Sequence, residues 1–396
     1  MTHKKFIFFF FLLFNTTIFA QTETAIRGVW VPAPKFTSVL HSYKNVENFV
    51  SLLDSLNFNT IFVVSYAETK TIYPSKVIKS YTKAKSIEQS NLLSPYLKSY
   101  NVGGKSISGD PIEDLINLAH KRNIKVFFWY EYGFMGATKP ITSENPLFAN
   151  HPNWLGINNE NKPANYHNKD FYFNAYNPKV QDFLIKLIKE GIKRYPNVDG
   201  VQGDDRMPAM PKNSGYDTYT ISKYKKEHNG QLPPKDFEDV EWVNWRIDLL
   251  NNFGKKLYQE IKQNNPNVMV SFAPNPYPWS KENLMQDWPQ WIKSGICDLL
   301  AVQCYRYNAE TYKNTLTEVV KYINQNNPKQ IFAPGIILME GGKIKMTPDL
   351  LKEQININRN LGINGEIFFY NEALKDQKIQ TVFKELYPKK VSFPSQ

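Results

Sequence analysis

The chain contains few of the residues from which common metal and redox sites are built. Two of its 396 residues are cysteine, and neither these nor the six histidines show the CxxC or HExxH spacing of a metal site. Cys297 and Cys304 lie around one predicted strand, so we expect two buried thiols rather than a disulfide. The sequence also lacks internal repeats and low-complexity tracts. These absences favour a single globular domain and predict no cofactor and no metal.

The sequence also lacks an apolar run long enough to cross a bilayer. Residues 1–20 have basic residues at Lys4 and Lys5, an apolar run over 6–14, and Ala20 before Gln21. This is the layout of a secretory signal peptide, and its apolar run is shorter than the roughly 20 residues of a membrane span. The segment has no cysteine for lipid attachment. We predict a secreted or periplasmic protein with no stable membrane insertion after cleavage; an uncleaved anchor is the alternative.

Acidic residues are outnumbered by basic ones, 37 against 48, which gives a formal charge of +11. Loss of Lys4 and Lys5 with the signal peptide lowers this charge to +9. A basic exported protein is suited to anionic polymers such as cell-envelope glycans, although scattered lysines also fit an ordinary solvated surface. Because no nucleic-acid-binding module is recognisable, a nucleic-acid partner is not expected. The sequence indicates no oligomeric state.

Short runs rich in β-branched and aromatic residues alternate with longer runs of helical period. The predicted strands are residues 26–31, 60–65, 125–130, 198–202, 268–272, 299–303, 331–336 and 366–370. The helical patterns that follow them are residues 45–56, 110–122, 177–195, 240–263, 282–295, 309–325, 347–362 and 373–387.

Eight such units in succession predict an α/β fold of the (β/α)8 TIM-barrel type over residues 21–388, with long loops after strands 2, 3 and 4. A doubly wound open sheet is the alternative. Residues 389–396 are basic and contain a proline, and we expect a disordered tail there.

Three carboxylates and a guanidinium fall within the stretch DGVQGDDR at residues 199–206. In barrel enzymes the functional groups lie at the C-terminal ends of the strands. The fourth predicted strand therefore delivers Asp204 and Asp205 to the mouth of the barrel. Asp199 opens the same strand at the opposite end, where we expect it to cap a turn.

Several short motifs follow one another along the chain. They are RGVW (27–30), FNTIF (58–62), YPS (73–75), FFWYEYGFM (127–135), HPNW (151–154), NAYNPKVQDF (174–183), DGVQGDDR (199–206), GYDTYT (215–220), WVNWR (242–246) and QDWPQW (286–291). In their order and spacing the chain resembles glycosyl-hydrolase-like family 10, a group of bacterial exported proteins, from about residue 25 to about 385. The resemblance implies a barrel hydrolase of glycosidic bonds, with peptidoglycan glycan strands or another extracellular polysaccharide as the substrate class.

Glycoside hydrolysis requires two carboxyl groups, one protonated as acid and the other acting as nucleophile or base. Glu131 directly follows the third strand among Trp129, Tyr130 and Tyr132, and this apolar setting favours a protonated acid. The alternative is a hydrogen-bonding role for Glu131.

Strand alternation indicates that one of the two neighbouring aspartates points inward. Asp204 shares the parity of Gln202, so we predict Asp204 as nucleophile or base, with Asp205 holding Arg206 or a substrate hydroxyl. The reverse order and a purely structural Asp–Arg cluster remain as alternatives.

Aromatic faces stack on sugar rings, while amides and guanidinium groups bond their hydroxyls. The residues of these types at strand ends that we predict to bind substrate are Trp30, Trp129, Tyr132, Gln202, Arg206, Asn275, Tyr277, Trp279, Gln303, Tyr305, Tyr370 and Glu372.

Other assignments compete with this one. Glu372 and Glu340 follow the last two strands and are further candidates for the second carboxylate. Asp204 and Asp205 with His167 or Asp170 would instead make a metal-dependent deacetylase or phosphodiesterase. A barrel that binds glycan without cutting it is the third possibility.

Overall fold

A computed structural model of the protein describes residues 24–84, 86, 88–100, 106, 108–137, 145–166 and 170–395. The predicted signal peptide lies outside this range, as does His167. Eight strand positions are occupied by β1 (Arg27–Val31), β2 (Thr60–Val64), β3 (Lys125–Tyr130), β4 (Gly200–Gly203), β5 (Met269–Phe272), β6 (Leu299–Leu300), β7 (Ile331–Phe332 and Gly335–Ile337) and β8 (Glu366–Phe369).

The strands form one parallel sheet that closes on itself. From β1 to β6, each strand pairs with the next strand of the barrel. The first part of β7 pairs with β6 and the second part with β8, and β8 pairs with β1. An isolated bridge between Gln303 and Gly335 joins the two sides of this seam. The (β/α)8 barrel predicted from the alternation of elements is confirmed.

One helix follows each strand on the outside of the barrel. These are α1 (Tyr43–Ser55), α2 (Pro111–His120), α3 (Pro178–Arg194), α4 (Val240–Asn264), α5 (Trp288–Lys293), α6 (Ala309–Asn326), α7 (Pro348–Asn360) and α8 (Gln377–Leu386). The predicted starts of α2 and α3 are confirmed: Asp110 accepts hydrogen bonds from the N–H groups of Ile112 and Glu113, and Asn177 accepts one from Lys179.

The longest connections follow β2, β3 and β4. The first contains short strands Tyr66–Ala67 and Lys70–Thr71 and helices Lys76–Thr82, Glu88–Ser90 and Ser94–Leu97. The second contains strands Met135–Ala137, Asn165–Tyr166 and Asp170–Tyr172 and helices Pro146–Asn150 and Pro152–Trp154, and the third contains helix Thr218–Glu227. Elsewhere are helices Val39–His41, Trp279–Leu284 and Asn371–Lys375 and the hairpin Met339–Glu340 with Lys343–Ile344.

Two predicted elements are interrupted in the structure. The seventh strand is divided at Pro334, which has no N–H to donate to the sheet. The helix predicted over 282–295 is two helices, because Met285 adopts a left-handed conformation (φ 57°) that ends the first one, and Pro289 lies in the first turn of the second.

A column of aromatic rings fills the barrel from its N-terminal end to its mouth. Phe393 contacts Phe127 at 6.1 Å between ring centroids, Phe127 contacts Phe62 at 5.0 Å, and Phe62 contacts Trp30 at 5.8 Å. A Cβ on Gly200 would lie 2.2 Å from the Phe127 ring. The first glycine of DGVQGDDR is therefore required by packing inside the barrel.

The end of the chain differs from the expected disordered tail over its described residues, 389–395. The carbonyl of Lys389 accepts a hydrogen bond from Arg27 at 2.7 Å, and that of Ser392 accepts one from Ala25 at 3.0 Å. Phe393 adds its ring to the column. The segment covers the N-terminal end of the barrel because it supplies carbonyl acceptors and an apolar ring to that surface.

Other expectations concern single residues. Cys297 and Cys304 are both buried free thiols, as predicted. Asp199 lies at the N-terminal end of β4 and accepts hydrogen bonds from His120, Lys125 and the Val126 N–H. Asp199 thus lies at the end away from the mouth, as predicted, but it bonds α2 and β3 and not the turn after α3. No helix in the described part of the chain is long and apolar enough to cross a membrane.

A buried charge network fastens the start of β8 to the outer helices. Glu366 is fully buried and accepts hydrogen bonds from Arg359 at 2.8 and 2.9 Å, from Asn358 at 2.8 Å, and from the Tyr387 hydroxyl. Removal of one partner from a buried ion pair leaves an uncompensated charge.

We expect Arg359→Leu to lower the free energy of unfolding by about 3–5 kcal/mol, because it leaves the buried Glu366 carboxylate without its ionic partner. Lys352→Leu is the matched control on the same helix, since Lys352 pairs with Glu385 at the surface and exposed pairs contribute about 1 kcal/mol or less. Denaturant unfolding of both variants measures the difference. Equal losses would contradict the role assigned to Glu366.

Candidate active site

Arg206 contacts all three acidic residues that follow β3 and β4, namely Glu131, Asp204 and Asp205. Its Nη1 donates to Asp204 Oδ2 at 3.1 Å and to the Glu131 carbonyl at 3.3 Å, and it lies 3.1 Å from Asp205 Oδ1. Charge-assisted bonds of this kind are shorter and stronger than neutral ones. One guanidinium thus fixes the positions of three carboxyl-bearing residues at the barrel mouth.

Asp204 lies beneath this cluster and is only 1% exposed. It accepts hydrogen bonds from Trp129 Nε1 at 3.3 Å and from the Arg206 N–H at 3.0 Å, besides the guanidinium. Burial and the neighbouring charge of Asp205 raise the pKa of Asp204 well above its usual range. Because these contacts are all with protein groups, Asp204 holds Arg206 and Trp129 in position.

Asp205 is the more accessible of the two aspartates, with 23% of its side chain exposed. Its Oδ2 accepts a hydrogen bond from Asn275 Nδ2, which follows β5, at 3.3 Å. Both aspartates contact Arg206, so strand parity does not place them on opposite sides of the sheet. The chain leaves β4 in a turn closed by the Met207 N–H and the Asp204 carbonyl, so strand alternation ends at Gly203.

Glu131 is half-buried beside this cluster, and among the described residues no hydrogen-bond donor faces its carboxyl. Desolvation, opposed by Arg206 and reinforced by the charge of Asp205, raises the pKa of Glu131 to about 7. This direction agrees with the apolar setting read from the sequence. A glutamic acid of this kind holds its proton near neutral pH.

The floor of the site is a hydrogen-bonded chain across the barrel. Trp30 Nε1 donates to Gln202 Oε1 at 2.7 Å, and Gln202 Nε2 donates to Ser271 Oγ at 2.9 Å. Gln202, predicted to bind substrate, is fully buried in this floor, and both ends of its amide are bonded to protein side chains. Trp30 and Trp129 lie 6.4 Å apart between ring centroids, so two indole rings border the cluster.

Several predicted substrate-binding side chains lie around this floor. Tyr132 lies 6.0 Å from the Arg206 guanidinium, and Tyr305 contacts Trp30 edge to face at 6.5 Å. Burial and the charges of Asp205 and Asp204 raise the pKa of Tyr305 well above its usual value. Trp279 is 37% exposed at the rim.

Other predicted residues make different contacts. The ring of Tyr277 packs against Trp288 and Tyr322, which lie on outer helices. Gln303 donates to the Ala273 carbonyl at 2.8 Å, so that its amide bonds the backbone. Tyr370 is buried against Phe369.

The two competing glutamates have partners of their own. Glu372 accepts a hydrogen bond from Thr37 at 2.7 Å and pairs with Lys375 at 2.6 Å. Glu340 is 57% exposed on a hairpin, where it accepts a hydrogen bond from Tyr307 at 3.0 Å. Through these contacts Glu372 stabilises the loop after β1, whereas Glu340 lies at the protein surface.

Sequence reasoning missed Tyr172 and Tyr166, which lie in the connection after β3. Burial and the charge of Asp205 raise the pKa of both phenols. Alternation of strands and helices locates residues at strand ends, but it carries no signal for a side chain delivered by a long loop.

Metal binding was one of the alternatives open from the sequence. Within the described ranges, no group of three or more His, Cys, Asp or Glu side chains is arranged to hold a metal ion. Asp170 lies within these ranges.

Comparison with known proteins gives matches over most of the chain. A family model described as "Glycosyl hydrolase-like 10" matches residues 25–354. Glycosyl hydrolase YngK of Bacillus subtilis is 24% identical over 90% of this chain and 69% of its own length. Glycosyl hydrolase DigH of Escherichia coli K12 is 24% identical over 91% of this chain and 86% of its own length.

Solved structures with the same fold include glycoside hydrolases. The PgaB (BpsB) glycoside hydrolase domain of Bordetella bronchiseptica has a TM-score of 0.65 at 13% identity, over 94% of this chain and all of that domain. The catalytic domain of β-amylase from Paenibacillus polymyxa has a TM-score of 0.57 at 10% identity, over 92% of this chain and 99% of that domain. At these identities the likeness concerns the barrel fold.

The raised pKa of Glu131 predicts a pH-dependent stability difference. In the unfolded chain this carboxyl ionises near 4.5, whereas in the folded protein it ionises at about 7, so its contribution to stability falls as pH rises between these values. We expect the free energy of unfolding of Glu131→Gln, relative to that of the wild type, to rise by up to about 3 kcal/mol from pH 5 to pH 8. Denaturant unfolding at both pH values measures the gain, with Glu310→Gln at the surface as control. A difference independent of pH would contradict the assignment.

Proposed function

Because the chain belongs to the glycosyl hydrolase-like 10 family, we propose that it is an exported enzyme that hydrolyses glycosidic bonds in peptidoglycan glycan strands or another extracellular polysaccharide. The observation that carries this proposal is the pair formed by Glu131 and Asp205. One is a carboxyl group that keeps its proton near neutral pH, and the other is an accessible carboxylate held by Arg206 on the same side of the barrel mouth.

Glu131 is the proposed general acid. Its pKa of about 7 keeps a substantial fraction protonated at neutral pH, as donation to the departing glycosidic oxygen requires. Its carboxyl has no protein donor among the described residues, so it is available to the substrate. Departure of the sugar leaves Glu131 ionised beside Arg206, whose positive charge favours that form.

Asp205 is the proposed nucleophile or base. Asn275 and Arg206 hold its two oxygens, and part of its side chain remains exposed to the mouth. This assignment exchanges the roles expected for the two aspartates. Asp204 is enclosed by Trp129, Arg206 and the backbone, so its proposed role is to position Arg206 and, through it, Asp205.

The surroundings of the carboxyl pair fit a carbohydrate. Trp279, which is 37% exposed, and the partly exposed Tyr305 offer aromatic surface to a pyranose ring, and Asn275 and Arg206 offer donors to hydroxyl oxygens. Trp30 and Trp129 are only 1% and 3% exposed and support the site from within the barrel. The formal charge of +9 that remains after loss of the signal peptide suits an anionic wall polymer. The proposal draws further support from relatives named as glycosyl hydrolases.

We expect Glu131→Gln and Asp205→Asn each to lower kcat/KM by about 100-fold or more, because each removes a proton-transfer or nucleophilic group. The substrates are peptide-free peptidoglycan glycan strands and a polysaccharide panel, with released reducing ends followed by mass spectrometry. In the wild type, kcat/KM falls as pH rises through about 7, where Glu131 loses its proton.

Glu340→Gln is the control, since this exposed carboxylate lies on a separate hairpin. Asp204→Asn is expected to lower activity, because it removes a carboxylate that positions Arg206, whereas Asp205→Asn should fold as the wild type does. Full activity in both Glu131→Gln and Asp205→Asn would exclude the two-carboxylate mechanism. Retention of glycan without release of reducing ends would identify a binding barrel.

Export through the predicted signal peptide is a separate part of the proposal. We expect the protein to be recovered from the periplasm or the medium, with a mature N-terminus at Gln21. Cell fractionation and N-terminal mass spectrometry measure both. Replacement of residues 6–14 by a polar sequence is the matched control and should retain the full-length chain in the cytoplasm; an intact Met1 in the exported wild type would contradict cleavage.

A further inference from the structure

Phe36 is a large apolar side chain that the loop after β1 holds in solvent. It is 53% exposed, although burial of such a ring is favourable. Its N–H donates to the Ala33 carbonyl at 2.8 Å, and the next residue, Thr37, is buried and bonded to Glu372. The ring is therefore presented outward from a turn that is fixed on both sides.

Glu68 is presented by a hairpin with an unfavourable turn. The strands Tyr66–Ala67 and Lys70–Thr71 leave Glu68 and Thr69 as the two turn residues, at φ 51° and φ 60°. Such turns favour Gly, Asn and Asp, and a β-branched residue in this region is an outlier. Strain of this kind is concentrated at ligand-binding and active sites.

An ion pair between Lys35 and Glu68 joins the two loops. About half of the Lys35 side chain (51%) and 41% of the Glu68 side chain are exposed. Exposed pairs contribute little to stability, so the pair gives no structural reason for the strained turn. Lys35 Nζ also lies 4.9 Å from the centroid of the Phe36 ring, so that ammonium, carboxylate and ring form one surface.

This surface lies beside the proposed acid. The carbonyl of Tyr66, at the base of the hairpin, accepts a hydrogen bond from the N–H of Tyr132 at 3.4 Å, and Tyr132 follows Glu131 directly. The charges of Lys35 and Glu68 both act on the Glu131 carboxyl. The hairpin that carries Glu68 is therefore bonded to the residue that follows the proposed acid.

We propose that Lys35, Phe36 and Glu68 form a binding subsite for one pyranose ring of the glycan chain, beyond the two rings that are joined by the bond that is cut. We call it the Phe36 subsite; it rests on the function proposed above. The ring of Phe36 packs on a sugar face, and the ammonium and carboxylate bond hydroxyl or amide groups at its edge.

A second aromatic pair lies across the mouth. Trp279, after β5, contacts Tyr166 edge to face at 5.9 Å, and the charge of Asp205 acts on Tyr166. In the closed order of eight strands, β1 and β5 are on opposite sides of the barrel. A glycan that occupies both places extends beyond the carboxyl pair in both directions, so the Phe36 subsite implies cleavage of internal bonds.

The test uses peptide-free glycan strands fractionated by length, from the disaccharide to long oligosaccharides. Phe36→Ala is expected to raise KM about tenfold on long strands with little change in kcat, because it removes contacts made equally by substrate and transition state. The disaccharide, which does not reach the subsite, should be unaffected. Phe36→Tyr should restore the wild-type KM, and Glu68→Gln should repeat the length dependence of Phe36→Ala.

Val240→Ala is the control, since Val240 is an exposed apolar side chain (73%) at the start of the outer helix α4. Binding of the same strands to Asp205→Asn, with and without Phe36→Ala, is measured by calorimetry. Hydrolysis that Phe36→Ala leaves unchanged at every length overturns the subsite and retains the hydrolase. Binding that depends on Phe36 without hydrolysis retains the subsite and overturns the hydrolase. No binding by any strand overturns the subsite.

Discussion

The active site depends on the contacts that the Arg206 guanidinium makes with three acidic residues. Three acidic residues from two neighbouring strands would repel one another at the mouth of the barrel. Arg206 bonds Asp204, Asp205 and the Glu131 backbone at 3.1–3.3 Å, which compensates two carboxylates and leaves the third carboxyl without a direct ionic partner. Burial raises the pKa of Glu131 and of Asp204, whereas Asp205 is accessible beside the guanidinium, so that a proton-holding group lies near an accessible carboxylate.

The barrel interior supports this arrangement from below. The aromatic column from Phe393 to Trp30 fixes the height of the Trp30 ring, and Trp30 in turn fixes Gln202 through a 2.7 Å hydrogen bond. Gln202 lies two residues before Asp204 on β4. The end of the chain and the proposed catalytic centre are therefore connected through packed rings, although they lie at opposite ends of the barrel.

The fold could be predicted from the sequence because the period of hydrophobic residues changes at each strand and helix. Asp204, Asp205 and Glu131 could also be placed at the mouth, since strand ends in a parallel barrel meet there. Which of Asp204 and Asp205 is accessible could not be predicted, because the turn after Gly203 ends the alternation of side chains along the strand. The positions of Phe36 and Glu68 could not be predicted either, because they are set by a turn and a strained hairpin and not by a period of hydrophobic residues.

The split of β7 at Pro334 has a consequence for the dynamics of the barrel. The β6–β7 contact consists of two residue pairs and one isolated bridge, whereas β2 and β3 share five registered pairs. The β5–β6 contact also has only two registered pairs, so the pairing of the ring is sparse on both sides of β6. We expect amide protons around β6 to exchange through sub-global opening while β1 to β5, which carry the carboxyl cluster and its floor, remain paired.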